Sequence, residues 1–177
     1  MELTQNQKIK KYVSYCLILA VLDLIQNTAG LSVEIFGARC FLLLPAAIIF
    51  AMGEDILGGT MVGLFAGLLW GLTSGVHMGF NCVYIALMCF IASALASNIA
   101  RDTFITNMIM CIVTISIYCT VYWLFFIIIK GVEGAEDTIL SFYFPCGIYT
   151  TLISPIMWLI LNPVKKKLNL INNQDFR

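Results

Sequence analysis

Charged side chains make up only 11% of this 177-residue sequence, where a soluble domain carries about 25%. So little charge leaves too few polar groups to coat a water-soluble globule, and a bilayer must supply much of the solvent. Histidine is almost missing: His77 stands alone, without a second ligand or a Ser–Asp set nearby, which argues against a histidine metal site or a catalytic triad. No Walker loop, H-E-x-x-H pair, inward carboxylate pair or dinucleotide fingerprint occurs, so the sequence reads as non-enzymatic and free of cofactors. The seven cysteines (Cys16, Cys40, Cys82, Cys89, Cys111, Cys119 and Cys146) form no C-x-x-C pair and sit in or beside apolar runs. That placement reads as small, soft packing residues rather than metal ligands or disulfides. No basic run is long enough for nucleic acid.

What the sequence does have is apolar length. Hydrophobic residues reach 60% and mean hydropathy is +0.93. Six apolar segments can be marked: Tyr12–Gln26, Arg39–Met52, Ile56–Leu72, Phe80–Ala96, Ile105–Ile129 and Thr138–Leu161. A spanning helix needs roughly 20 residues, so the last two qualify readily and the first two are short. The stretch Ile56–Ala96 would be a helix some 60 Å long, twice a hydrocarbon core, so it must turn, with Thr73-Ser74-Gly75 through Asn81 as the break. Asp23, Gln26 and Asn27 close the first segment without a small-x-small cleavage site, and it reads as a retained helix rather than a signal peptide.

Six of the ten Lys and Arg lie in two terminal clusters, Lys8-Lys10-Lys11 and Lys165-Lys166-Lys167. An even number of spans puts both on one side, with Arg101 and Arg177, against Arg39 and Lys130 on the other. That bias marks the termini as cytoplasmic, with anionic lipid headgroups as partners of the clusters. The expectation is an all-α integral membrane protein: one bundle of about six transmembrane helices over residues 1–168, then a polar, disordered cytoplasmic tail over 169–177. Pro145 and Pro155 are expected to kink or break the sixth segment.

Glycines recur at four-residue spacing: Gly59, Gly63, Gly67, Gly71, Gly75 and Gly79. Along a helix these stack on nearly one face and cut a groove that admits a close-packed helix. Either this chain fills the groove, with the small residues Ala92, Ala96 and Ala100 as the match, or a partner's helix does. Gly59, Gly63, Gly67 and Gly71 are therefore the candidate partner-helix groove. Asp23, Gln26 and Arg39 form a candidate polar set near the non-cytoplasmic face, with Arg39 as counter-ion to Asp23. Glu54 and Asp55 read as a solvated helix start.

Three local features resemble the bacterial rod shape-determining MreD family. The first apolar helix ends in Ile25-Gln26. A short second helix leads from Phe36-Gly37-Ala38-Arg39 by a small turn into a Gly-x-x-x-Gly helix. That helix closes in Leu72-Thr73-Ser74-Gly75-Val76-His77-Met78-Gly79, with Ser74, Gly75 and Gly79 as its motif residues. Family members often carry Asp where this chain has Gly71. The resemblance implies a scaffold subunit of the cell-elongation machinery in the bacterial cytoplasmic (inner) membrane. Its implied partners are the bitopic protein MreC and the peptidoglycan synthases. The family is also similar in its six-helix fold to the substrate-capturing components of energy-coupling-factor vitamin transporters, which supply the alternative. The first helix lacks a small-x-x-x-small pair for docking a transporter subunit, while the acidic loop Lys130–Asp137 would suit a lid. A pocket lined by Trp, Tyr and Asn would favour capture, and a closed core with an open glycine groove would favour the scaffold.

Overall fold

A computed structural model describes residues 5–28, 40–75, 78–98, 102–129 and 142–174, and every regular element among them is helical. The helices are α1 (Gln5–Asn27), α2 (Leu43–Ala51), α3 (Ile56–Ser74), α4 (Met78–Asn98), α5 (Phe104–Trp123) and α6 (Phe144–Gln174). A π-helical turn, Leu124–Ile128, extends α5, and the Ile129 N–H reaches back to the Leu124 carbonyl at 3.1 Å.

Among the described residues four helices are long and apolar enough to cross a membrane: Ile56–Ser74, Gly79–Asn98, Phe104–Ile128 and Phe144–Asn169. Their outward faces carry large apolar side chains, such as Leu57, Met61, Leu64, Leu68 and Leu72 on α3 and Phe144, Ile148, Leu152, Ile156 and Leu159 on α6. In water such continuous stripes would be a liability; in lipid they are the ordinary exterior. The chain is thus an all-helical protein with the makings of a multi-pass membrane bundle. Helix α1 is long enough at 23 residues but carries Lys8, Lys10, Lys11 and Asp23.

The second apolar segment is the main departure from six equal spans. Its nine-residue helix reaches only about 14 Å, against a hydrocarbon core of about 30 Å. Every residue of LLPAAIIFA is buried, and α2 packs against α1, α3, α4, α5 and α6. With no polar side chain it can lie wholly inside the bundle, provided its ends are satisfied. Pro45 removes one amide from the first turn. The Leu43 N–H donates to Gln26 Oε1 at 3.0 Å and the Phe41 N–H to Thr150 Oγ1 at 3.0 Å. At the other end Lys165 Nζ donates to the Ile49 carbonyl at 3.0 Å, a cation placed where the helix dipole favours one.

The prolines of α6 do not break it. The helix runs through Pro155 and Pro163 without ending. Pro145 falls in its first turn, where a missing amide costs nothing. Thr150 Oγ1 donates to the Cys146 carbonyl (2.7 Å) and Ser154 Oγ to the Thr150 carbonyl (2.9 Å), so both hydroxyls are satisfied within the helix. Helix α6 ends at Gln174. Residues 175–177 lie outside the described residues.

Candidate functional site

The glycine stripe faces inward, onto α4. A methyl group at Gly63 would lie 2.5 Å from Cys89 Cβ and 2.8 Å from the Ile85 carbonyl oxygen. At Gly67 it would lie 2.6 Å from Cys82 Cα and 2.8 Å from the Asn81 carbonyl oxygen, and at Gly59 it would overlap the Ser93 side chain. Gly71 is buried as well. The groove is therefore filled by this chain and offers no seat to a partner at these positions. The small residues that fill it are Cys82, Cys89 and Ser93. Of the expected alanines, Ala92 is buried and Ala96 half-buried, with neither among the nearest atoms to the glycines, and Ala100 lies outside the described residues. Gly75 ends α3 in the left-handed region at φ 64°, which suits a residue without Cβ. Gly79 has nothing within 4 Å of an added methyl, so it is not part of the packed stripe.

The polar set divides. Asp23 is buried, and its Oδ1 accepts from Asn27 Nδ2 at 2.9 Å and Thr73 Oγ1 at 3.1 Å, tying the end of α1 to the end of α3. Gln26 caps α2, as described above. Arg39, the expected counter-ion, lies outside the described residues, as do His77 and the acidic loop Lys130–Asp137.

Among the described residues, the opposite end of the bundle holds two ion pairs that sequence reading missed. Lys11 Nζ lies 2.6 Å from Glu54 Oε1, with both side chains nearly sealed from solvent, and Tyr15 Oη donates to the same carboxylate at 3.0 Å. Glu54 is thus a buried partner rather than a solvated helix start, while Asp55 is exposed. Lys165, 1% exposed, pairs with Asp102, and its stem crosses Gly53, where a methyl would lie 2.5 Å from Lys165 Cδ. These contacts bring the start of α1, the α2–α3 turn, the start of α5 and the end of α6 to one end of the molecule. Two members of the apparent headgroup clusters are therefore internal struts.

At the end where Asp23 lies, aromatic side chains from several elements enclose a cavity of about 240 Å³. Its lining is Phe41, Trp70, Ser74, Asn81, Tyr118, Tyr122, Phe142 and Tyr143. Trp70 stacks on Tyr118 with centroids 5.1 Å apart and rings 29° from parallel. Phe41 meets the same two rings at 5.3 and 5.6 Å, and Tyr122 and Tyr143 continue the wall at 5.8 Å. Tyr118 Oη donates to Asn81 Oδ1 at 3.1 Å. The close α3–α4 approach at Gly67 is what carries Asn81 to the cavity wall. A second, larger recess of about 330 Å³ lies between α5 and α6, lined by apolar side chains with Ser116, Thr120, Gly147 and Thr151.

No protein-family model matches the chain, and no curated protein or solved structure is significantly similar to it. Among the described residues no group of His, Cys, Asp and Glu is placed to hold a metal ion. The aromatic cage had no local signature, since its members lie far apart in sequence. Its only sequence signal is that Trp70, Asn81, Tyr118, Tyr122 and Tyr143 all fall near the same end once the helices alternate in direction.

Proposed function

We propose that this chain is a non-enzymatic scaffold subunit of the bacterial cell-elongation machinery, resembling MreD. In this reading it sits in the cytoplasmic (inner) membrane with both termini cytoplasmic, binds an MreC-like bitopic partner and helps position peptidoglycan synthases. The sequence pattern from Ile25-Gln26 to Gly79 underlies the reading. The observation that carries its mechanism is the recess between α5 and α6. There Ser116, Thr120, Gly147 and Thr151 interrupt an otherwise large-apolar, lipid-facing surface. In lipid, helices associate through close packing at small residues and through hydroxyl hydrogen bonds, so this recess replaces the filled glycine stripe as the seat for a partner's single helix. The ion-paired end, shared by the basic start of α1 and the basic end of α6, supports termini on one side. Six spans require α1 and the segment containing α2 to complete the count begun by the four long apolar helices.

A second reading is favoured by a specific observation. The Trp/Tyr/Asn cage and the filled glycine groove both fall on the side expected of a substrate-capturing component of an energy-coupling-factor transporter. Affinity isolation from detergent-solubilised bacterial membranes, read by mass spectrometry, separates the two. Recovery of an MreC-like protein with wall synthases supports the scaffold. Recovery of transporter ATPases with a coupling subunit replaces it by capture.

A further inference from the structure

The aromatic cage has the makings of a ligand site, and its chemistry narrows the ligand. Among the described residues that line it, none is charged. An anion entering it would lose hydration without finding a counter-charge among the described residues, which is strongly unfavourable. The rings alone would attract a cation, but Asn81 opposes one. That side chain is 2% exposed, its Oδ1 is occupied by the Tyr118 hydroxyl, and its Nδ2 has no acceptor among the described residues. A buried amide with unused N–H groups on a cavity wall calls for an acceptor, such as a carbonyl oxygen or ring nitrogen. The aromatic walls favour a flat partner whose faces can stack. The cavity is smaller than the roughly 300–1,000 Å³ of sites for drug-sized ligands, which fits one or two fused rings.

We propose that this cage binds a small, uncharged heteroaromatic compound, held between the Trp70–Tyr118 wall and the Tyr122–Tyr143 wall, with its carbonyl or ring nitrogen accepting from Asn81 Nδ2. The inference goes beyond the scaffold reading and, under the capture reading, names the class of cargo. Calorimetric titration of the purified full chain in lipid nanodiscs tests it, with quinazolin-4-one as the neutral probe, choline as the cationic one, and empty nanodiscs as the blank. The expected result is saturable quinazolin-4-one binding above the blank, no competition by choline, and at least a tenfold loss in Asn81→Asp. That variant keeps the acceptor for Tyr118 and removes the donor. Should Asn81→Asp not fold, Trp70→Leu serves, with the same loss expected from the missing stacking wall. Binding no greater than to empty nanodiscs, tighter binding of choline, or unchanged affinity in a folded variant would each overturn the proposal. None of those results bears on which proteins co-purify, so this inference and the assembly reading fail separately.

Discussion

Replacing Gly67 by Ala tests whether the glycine stripe is internal packing, because the two possible roles predict opposite behaviour of the isolated protein. The added methyl would lie 2.6 Å from Cys82 Cα, 2.8 Å from the Asn81 carbonyl oxygen and 3.1 Å from the Cys82 carbonyl oxygen. All three atoms are backbone, so no side chain can rotate away, and α4 must retreat by about 0.8 Å to restore an ordinary contact of 3.4 Å. Overpacking of this kind costs ~1–3 kcal/mol, and the better helix propensity of alanine returns up to ~1 kcal/mol. The net expectation is a loss of ~1–2 kcal/mol, measured by unfolding in mixed micelles and followed by circular dichroism. Gly79→Ala is the matched control, since open space surrounds that position, and it should be neutral or stabilising by up to ~1 kcal/mol. If Gly67→Ala unfolds like the parent, the α3–α4 contact is not tight, and the stripe again becomes available to a partner helix.

Lys165→Met should destabilise by ~2 kcal/mol, below the ~3–5 kcal/mol of a fully buried pair because the Asp102 side chain is 30% exposed. A double-mutant cycle with Asp102→Ala would show coupling if the pair acts as described. Glu54→Gln leaves Lys11 buried without its carboxylate and should cost ~3 kcal/mol, with additivity alongside Lys11→Met counting against the bridge. Thr73→Val removes one donor to Asp23 and should cost about 1 kcal/mol in the same unfolding assay. An unchanged midpoint would mean that the α1–α3 tie contributes nothing. Gly75→Ala must hold a left-handed backbone with a side chain and should cost roughly 1–2 kcal/mol, more than Gly79→Ala four residues later.

The broad architecture was legible because lipid imposes long apolar runs. Ile56–Leu72, Phe80–Ala96 and the core of the last segment each fall within an observed helix, Ile105–Ile129 overlies α5 and its π-helical extension, and the break between α3 and α4 falls inside the expected stretch Thr73–Asn81. The short buried helix was not legible. Composition makes Leu43–Ala51 look like a truncated span, and only its capping by Gln26, Thr150 and Lys165 reveals it as interior. Lys11, Glu54 and Lys165 were misplaced for a related reason. A charge near an apolar boundary looks the same in sequence whether it meets headgroups or a partner 40 or more residues away. The glycine spacing announced close packing but not with whom. The cage was hidden because ring-to-ring contacts between α3, α5 and the two residues before α6 are tertiary.

The most direct test of the scaffold account is site-specific photo-crosslinking in growing cells. The probe is placed at Thr151 in the α5–α6 recess and, for comparison, at Val83 on the outer face of α4, which is 68% exposed. The account predicts a strong adduct from position 151 to a single-pass membrane protein of the MreC kind, and none from position 83. Adducts of equal strength from both positions, or an adduct from 151 to a transporter subunit, would contradict it.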